Sequence, residues 1–209
     1  MKKTVVLIVL FVLPLVVYMF FASGVTNFGR LPVLTEEVGE LDGFQTEARL
    51  EGKITILCFS GSESATREGN AFNLNQKIYK PFYEFTDFQV VMVVPLGQEE
   101  FVSNLKKELG ALVDIGNWEF VYGSREDIQE LFESLQTDLE LDATGGTPYV
   151  FIIDKDRKLR GRNADDDIGT KYGFNTSSVA DLNNKMKDDV KIILAEYRLA
   201  LKKNLAERQ

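Results

Sequence analysis

The sequence predicts an α/β protein in which a mixed, mostly parallel sheet is flanked by helices and preceded by one transmembrane helix. Three observations lead to this prediction. A charge-free apolar stretch lies near the N-terminus, short continuous apolar runs recur along the chain, and stretches with apolar residues at helical spacing separate those runs. Such runs are typical of strands buried on both faces of a sheet, and alternation with helices indicates helical crossovers.

The composition excludes many kinds of catalytic site. The 209 residues include no histidine and a single cysteine, Cys58. Imidazole-assisted nucleophiles, zinc sites, blue-copper sites and paired-thiol redox centres therefore cannot be built from this chain alone. Oxygen-ligated metals, carboxylate chemistry, binding and a structural role remain open, and we predict no bound cofactor.

The charge distribution argues against nucleic acid as a partner. The first thirty residues contain three basic residues, Lys2, Lys3 and Arg30, and no acidic one, so residues 31–209 hold 21 basic and 32 acidic side chains. The resulting net charge of −11 is unsuited to neutralising phosphates. It also argues against broad electrostatic docking of the domain on anionic lipid.

Residues 1–22 are predicted to form a membrane anchor. Residues 5–22 carry no charge, and a stretch of this length can cross the hydrocarbon core of a bilayer. Lys2 and Lys3 should remain cytoplasmic under the positive-inside rule, so the rest of the chain is expected on the periplasmic side of the inner membrane. A cleaved signal peptide is the alternative, since small residues that suit cleavage follow the apolar stretch.

The exported part is expected to begin with a linker and two strands. Residues 23–43 are rich in glycine and show little periodicity, which favours a juxtamembrane linker before a domain at residues 44–209. Residues 44–50 (FQTEARL) favour a first strand, and residues 54–59 (ITILCF) predict a central strand. A polar loop then leads into a helix near residues 71–85.

The middle of the domain continues the alternation of predicted strands and helices. Residues 88–94 (FQVVMVV) predict a buried strand, and residues 98–109 predict a helix with one apolar face. Residues 118–122 (WEFVY) are a short strand-like run. Ser124, followed three residues later by Asp127, predicts the capped start of the next helix.

A hairpin and a long helix close the chain. Residues 149–154 and 158–162 flank the polar sequence DKDR, which favours a hairpin turn. A polar loop follows, and Ser178 resembles the first residue of a capping box that opens a helix towards residue 206. The mixed basic and acidic residues of that helix argue against a membrane-surface role for it. Its last turns are longer than a small sheet requires and are expected to offer three leucines to a partner: Leu199, Leu201 and Leu205.

This order of elements is the thioredoxin-like arrangement with one further αβ unit inserted in its middle. The chain also resembles the SCO family, whose members are thioredoxin-fold proteins anchored by an N-terminal membrane helix. Three passages between residues 44 and 162 carry the resemblance: ITILCFSGSESATREG, WEFVYGSREDIQELFESL and TPYVFIIDKDRKLRGR. The resemblance implies an SCO- or peroxiredoxin-like variant of the fold. It also implies either copper binding for maturation of cytochrome c oxidase or thiol–disulfide reduction.

The chain departs from the family at the metal-binding residues. The family's loop carries C-x-x-x-C, and its histidine precedes the penultimate strand. Aligning the strand that ends at Phe59 places Ser62 and Thr66 at the cysteine positions, and the histidine position falls near Gly146-Thr147. Hydroxyl groups are poor Cu(I) ligands and cannot exchange disulfides. The resemblance therefore implies a member without ligands, and we call Ser62, Thr66, Thr147 and Pro148 the degenerate site.

Several of these residues have two interpretations. Cys58 is either a redox or metal thiol or, as a free cysteine within an apolar strand, a small buried hydrophobe. Pro148 either forms the cis bond of many thioredoxin-like proteins or simply opens a strand. The hydroxyl residues near Ser62 either line a pocket or cap the helix. The acidic run Asp165–Asp167 suits either calcium or a solvated loop.

Three functions follow. The first is an envelope protein that binds a protein partner without catalysis, as an accessory to assembly of a respiratory complex such as cytochrome c oxidase or of other envelope proteins. The second is a thiol–disulfide or copper-handling protein that uses Cys58 in an intermolecular reaction. The third is an enzyme that uses carboxylates, for which no suitably paired acidic motif is present.

Overall fold

The structure is a computed structural model that describes residues 10–16 and 30–206, except for the side chains after residue 200. In this part of the chain the strands are β1 (Val33–Thr35), β2 (Ile54–Ser60), β3 (Phe88–Pro95), β4 (Trp118–Gly123), β5 (Gly146–Ile153), β6 (Leu159–Arg160), β7 (Arg162–Asp165), β8 (Gly169–Lys171) and β9 (Phe174–Asn175). Between residues 30 and 206 the α-helices are α1 (Ala65–Leu74), α2 (Lys80–Phe82), α3 (Glu99–Gly110), α4 (Arg125–Ser134), α5 (Val179–Asp181) and α6 (Lys187–Ala206), and π-helical turns follow α1 (Asn75–Tyr79) and α5 (Leu182–Met186).

The main sheet has the order β1-β6-β5-β2-β3-β4, and β9 pairs with β5. β2, β3 and β4 are parallel, whereas β5, β6, β1 and β9 add antiparallel pairs. This is a thioredoxin-like mixed sheet flanked by helices, as predicted. The expectation of a mostly parallel sheet is wrong, because the closing hairpin and the N-terminal strand each add antiparallel neighbours.

The sheet separates two apolar layers, and alternate residues of β2 point into different ones. Ile56 and Cys58 belong to the layer beneath α1, α3 and α6. Leu57 and Phe59 belong to the layer beneath α4. All seven residues of β2 are buried. The continuous apolar run therefore reflects a strand covered on both faces, as the sequence predicted.

Part of the segment expected to be a linker is a structured piece of the domain. β1 pairs with β6 through Val33 opposite Arg160. Val38 and Leu41, together with Phe44, are buried in the layer beneath α4. The glycines in this segment suggested a linker, but its apolar residues cover an otherwise open face of the sheet. Residues 23–29 lie outside the described part of the chain.

The strand predicted at residues 44–50 is absent. This stretch makes one isolated antiparallel bridge, between Gln45 and Tyr122 at the outer edge of β4. Arg49 instead uses its carbonyl group to accept a hydrogen bond from the Gln89 side chain, at 2.8 Å. The segment is thus irregular chain that runs from the edge of β4, near Tyr122, to the start of β3, near Gln89.

α4 and α5 begin directly after the serines predicted to cap them, whereas α1 begins earlier than predicted. Ser124 caps α4 in a complete capping box with Asp127, and the Ser178 side chain accepts a hydrogen bond from Asp181 N. α1 begins at Ala65, earlier than predicted, because Ser64 caps it by accepting a hydrogen bond from Arg67 N. The hydroxyl residues of the loop thus supply a cap.

The membrane anchor falls mostly outside the described residues. Residues 10–16 are helical, and the remainder of residues 1–22 lies outside the description. Within residues 10–16 and 30–206, no helix combines the length and the apolar character needed to cross a bilayer. The anchor remains a prediction from the sequence.

Candidate functional site

The degenerate site lies where the parallel strands end. β2, β3 and β4 share a direction, so their carboxyl ends meet at one end of the sheet, which we call the site end. Ser60, the last residue of β2, is paired with Gly146, the first residue of β5. The loop after β2 and the loop before β5 are therefore neighbours. They carry Ser62 and Thr147 respectively.

The two loops are in backbone contact at their glycines. Gly61 has a φ of +63°, a conformation that L side chains rarely adopt, and a Cβ atom on it would lie 2.9 Å from Gly146 Cα. The same atom would lie 2.5 Å from Thr144 Oγ1. Ser62 N also donates a hydrogen bond to Thr144 Oγ1, at 3.2 Å. Direct contact between the loops leaves no room here for even a methyl group.

The residues of the degenerate site differ in exposure. Ser62 and Thr66 are exposed on the loop and in the first turn of α1, whereas Thr147 is buried and its hydroxyl accepts a 3.4 Å hydrogen bond from Tyr149 N. The peptide bond before Pro148 is trans, so of the two interpretations left open by the sequence the cis one is wrong. Pro148 is the third residue of β5 and is half-buried, and its carbonyl accepts a hydrogen bond from the Thr176 hydroxyl at 2.6 Å.

An ion pair joins the two loops beside this contact. The guanidinium group of Arg67 binds the carboxylate of Asp142. The other oxygen of Asp142 accepts hydrogen bonds from Thr144 N, Thr144 Oγ1 and Gly146 N at 2.7–3.0 Å. Burial raises the pKa of Asp142, but these hydrogen bonds and Arg67 outweigh that effect and hold the pKa below its usual value. Asp142 is therefore ionised at neutral pH and organises the loop before β5.

A small cavity of about 30 Å³ lies beneath Arg67, large enough for about one or two water molecules. Apolar side chains of α1, α3, β3 and β5 form most of its wall, and Cys58, Ser60 and Asn70 contribute polar groups. The side-chain nitrogen of Asn70 has no protein hydrogen-bond partner, although its oxygen accepts a hydrogen bond from Ser177 at 2.9 Å. An unpaired buried donor of this kind suits an ordered water molecule.

Cys58 is buried within the sheet. Its side chain is 4% exposed, and its sulfur lies 3.8 Å from the carbonyl oxygen of Ile56. Burial strongly raises the pKa of the Cys58 thiol, which therefore stays protonated at neutral pH. A reactive cysteine needs a thiolate and access to its partner, and this position offers neither.

The acidic run on the loop after β7 is used in ion pairs. Lys185 Nζ lies 2.7 Å from Asp165 Oδ1 and 2.5 Å from Asp167 Oδ2. The hydrogen bonds from Lys185 outweigh burial and hold the pKa of Asp165 below its usual value. Within the described residues, no group of three or more acidic or cysteine side chains is arranged to hold a metal ion. A lysine occupies the position that calcium would need.

Sequence reasoning missed Arg67, Asp142 and Asn70. A partial signal was present at Asp142, because the sequence Asp-Ala-Thr favours an Asx turn before a strand. Nothing local indicates that Arg67 pairs with a residue 75 positions later, since only the fold brings them together. Asn70 lies in α1, whose sequence is typical of a solvent-exposed polar helix, so nothing in it indicates a buried asparagine.

The fold and this site define a thioredoxin-like protein. Among solved structures, the chain is similar to a SCO1/SenC family lipoprotein from Bacillus anthracis str. Ames, with a TM-score of 0.50 and 18% identity over 78% of this chain and 96% of that one. It is also similar to a thiol:disulfide interchange protein from Bacteroides sp., with a TM-score of 0.47 and 16% identity over 76% and 91% of the two chains.

A third similar structure is that of BsSco, a member of the Sco family of cytochrome c oxidase assembly proteins, with a TM-score of 0.47 and 16% identity over 75% and 99% of the two chains. No protein-family model matches the chain, and no curated protein matches its sequence. At these identities the likeness to the Bacillus anthracis lipoprotein is one of fold. Structural neighbours with this thioredoxin-like fold thus include SCO/SenC family proteins, in agreement with the resemblance seen in the sequence.

Proposed function

We propose that this chain is a membrane-anchored envelope protein whose thioredoxin-like domain binds a protein partner and lacks the copper and thiol chemistry of the SCO family. By analogy with that family, the process it serves is assembly of a respiratory complex, with cytochrome c oxidase as the first candidate. The observation that carries the proposal is the pairing of Arg67 with Asp142, which joins the two loops where the family has its ligands.

Three features of the site support a binding role. Exposed hydroxyl residues, Ser62 and Thr66, stand where the alignment places the family's two cysteines. The loops on either side are held together by the protein's own contacts and need no bridging metal for their arrangement. The exposed residues of these loops include polar side chains, among them Ser62, Thr66 and Asp142, which are available for recognition of a folded partner.

The burial of Cys58 weighs against the alternative of a single active thiol. An intermolecular disulfide would require Cys58 to leave a strand that is hydrogen-bonded to a neighbour on each side. Its raised pKa removes the thiolate that would attack. Copper handling is disfavoured on the same grounds, because one buried thiol and exposed hydroxyl groups form a poor Cu(I) site.

Site-directed crosslinking in native membranes tests the proposal. A photocrosslinker at Ser62, on the exposed edge of the site, is expected to capture a specific envelope protein that mass spectrometry identifies. The matched control carries the same crosslinker at Leu112, which is exposed at the far end of α3, and should not capture that protein. Recovery of oxidase subunits would support the assigned process, whereas recovery of other envelope proteins alone would redirect it.

A copper titration tests the absence of ligands separately. The wild-type protein is expected to bind no stoichiometric Cu(I) in competition with a colorimetric chelator, while the double variant Ser62→Cys, Thr66→Cys is expected to gain Cu(I) binding. The single variant Ser62→Cys is the control for an isolated thiol. Tight one-to-one binding by the wild-type protein would overturn the proposal.

A further inference from the structure

The C-terminal helix projects beyond the domain. Its packed residues end at Leu194 and the half-buried Tyr197, whereas Arg198, Leu199 and Ala200 are exposed. The helix nevertheless continues to Ala206. At a rise of about 1.5 Å per residue, the segment 198–206 extends the helix by about 13 Å past its last packed turn.

This projection leaves from the end of the sheet opposite the site end. Leu194 and Tyr197 share a groove of about 260 Å³ with Ile54, the first residue of β2. Asp87 and Lys155, which also line the groove, form an ion pair across it. Because the degenerate site follows the last residue of β2, the projecting segment and the degenerate site lie at opposite ends of the domain.

The turn of α6 that contains Glu196 is linked to residues 30 and 31, where the chain enters the domain. Arg160 donates hydrogen bonds to Glu196, at 2.7 Å, and to the carbonyl oxygen of Leu31, at 2.8 Å. Arg30 Nε also lies 3.7 Å from Glu196 Oε1. Seven residues separate position 30 from the predicted anchor, and they span at most about 25 Å. The segment 198–206 is therefore tethered close to the bilayer.

The composition of this segment complements an anionic surface. Residues 198–206 read RLALKKNLA, with three basic residues, three leucines and no acidic residue, in a domain whose net charge is −11. Basic residues close to a membrane are attracted to anionic lipid, and leucines add apolar contact at the headgroup boundary. The acidic remainder of the domain is repelled from the same surface, which favours contact through this segment alone.

We propose that residues 198–206 form an interfacial contact with anionic phospholipid headgroups beside the membrane anchor. This contact directs the site end away from the bilayer, towards a partner in the envelope. The inference rests on the anchor of the proposed function, which supplies the short tether, and it adds a second, electrostatic point of attachment that sets the orientation of the domain.

Depth-dependent fluorescence quenching in vesicles tests the contact. The full-length chain carrying Leu199→Cys is labelled with a fluorophore and reconstituted into vesicles that contain a headgroup-linked quencher. Buried Cys58 does not compete for the label. Quenching is expected in phosphatidylcholine vesicles that contain phosphatidylglycerol, and it should be lost in phosphatidylcholine alone or at about 1 M salt, where the screening length falls to about 3 Å.

Matched variants test whether the position of the label and the charges of Lys202 and Lys203 cause the quenching. The control label at Leu96→Cys lies on an exposed residue at the site end and should remain unquenched in both kinds of vesicle. Adding Lys202→Gln and Lys203→Gln to the Leu199→Cys protein should remove the quenching. The same change at Lys106 and Lys107, two exposed lysines in the last turns of α3, should leave it intact.

The possible outcomes distinguish failure of the interfacial contact from failure of the membrane anchor. Protein that floats with the vesicles but shows an unquenched label at position 199, or equal quenching without anionic lipid, overturns the contact and leaves the anchor standing. Protein that does not float overturns the anchor, and the tether fails with it.

Discussion

Arg67 and Asp142 form an ion pair that joins the first turn of α1 to the loop before β5. Arg67 follows Thr66 in sequence, and Asp142 accepts a hydrogen bond from Gly146 N, so the pair adjoins positions to which the sequence resemblance assigns ligands. Two loops that a bound ligand could hold together are joined here by the side chains of Arg67 and Asp142. The pair is therefore the natural place to test whether the site is a structured surface.

Replacing Asp142 with asparagine is expected to lower the free energy of unfolding at neutral pH but not in acid. The folded-state pKa of Asp142 lies below its usual value, so its ionised form stabilises the protein above the unfolded-state pKa of about 3.9. That contribution is lost as the pH falls through the folded-state pKa. Urea unfolding of both proteins between neutral and acidic pH measures the difference.

The control for this titration is Asp138→Asn, which changes an exposed carboxylate earlier in the same connecting segment. It should shift the unfolding midpoint little at any pH because, within the described residues, the Asp138 side chain forms no hydrogen bond or ion pair, unlike that of Asp142. A difference between wild type and Asp142→Asn that persisted unchanged below the folded-state pKa would show that the carboxylate charge is not its source.

The backbone contact between the loops predicts a large cost for Gly61→Ala. The new Cβ atom would lie 2.5 Å from Thr144 Oγ1 and 2.9 Å from Gly146 Cα, at a φ of +63°. Gly52→Ala is a matched control, because Gly52 has a φ of +79° but no neighbour within 4 Å of a Cβ atom. The control should show only the conformational cost of about 1–2 kcal/mol, and Gly61→Ala should exceed it in thermal or urea unfolding.

Equal destabilisation by the two glycine variants would mean that the loops separate easily at Gly61. In that case the site would be an adaptable surface. The degenerate site would then present no fixed shape to a partner before binding.

How far the sequence predicts this molecule depends on the range of the interactions. The buried strand at Ile54–Ser60 and the Ser124 cap follow from local patterns, and the structure confirms both. The position of residues 31–43 could not be predicted from local patterns. Their glycine content is a local property, whereas the burial of Val38 depends on a face of the sheet that is formed by residues much later in the chain.

The same distinction applies to the site. The resemblance to the SCO family implied that the loops bearing Ser62 and Thr147 lie together, and the pairing of Ser60 with Gly146 makes these loops neighbours. The residues that join these loops were not predictable, because the Arg67–Asp142 pair and the Gly61–Gly146 contact connect positions far apart in sequence. The trans bond at Pro148 likewise depends on its surroundings, which a family pattern does not specify.

Asn75→Leu is expected to leave stability unchanged or to raise it by about 1–3 kcal/mol. Asn75 is fully buried in the π-helical turn after α1, and neither its side-chain nitrogen nor its oxygen has a hydrogen-bond partner. Leucine has the same branched shape and the same number of side-chain heavy atoms as asparagine, and it carries no unpaired polar group. Urea unfolding provides the measurement, and Asn73→Leu, which removes a 3.0 Å hydrogen bond to Thr176 O, is the contrasting variant and should destabilise.

A marked loss of stability in Asn75→Leu would indicate that the asparagine is paired in solution, for example with internal water. Amide hydrogen exchange in the turn Asn75–Tyr79 would then distinguish a lost hydrogen bond from a packing defect, since only the former should speed exchange locally while the rest of the helix stays protected.

The buried ion pair between Asp154 and Arg160 predicts a large effect of Asp154→Ala. Both side chains are almost fully buried, their closest atoms are 2.8 Å apart, and Asp154 also accepts hydrogen bonds from the hairpin backbone. Removing Asp154 leaves the buried guanidinium of Arg160 with Glu196 as its remaining carboxylate partner in the described residues and leaves the hairpin N–H groups without their acceptor. Breaking a buried pair in this way costs up to about 3–5 kcal/mol. The exposed pair Asp188–Lys191 is the control, and Asp188→Ala should cost less than about 1 kcal/mol.

A small effect of Asp154→Ala would contradict this account and would indicate that Glu196 alone satisfies Arg160. The double variant Asp154→Ala, Arg160→Met distinguishes the two cases. If the unpaired charge is the main cost, adding the second substitution should restore part of the lost stability, because an apolar side chain then replaces the isolated guanidinium.

Cys58 is expected to react with thiol reagents only when the protein unfolds. The thiol is 4% exposed, its pKa is raised by burial, and β3 and β5 hydrogen-bond to its strand on either side. Labelling should therefore be slow in the native protein and fast in denaturant, followed by mass spectrometry over a time course. Leu96→Cys in the same protein supplies an exposed reference thiol that should react at the rate of a free cysteine. Comparable rates at the two positions would mean that Cys58 is accessible in the folded state, and the thiol-based function would then replace the binding role proposed for this domain.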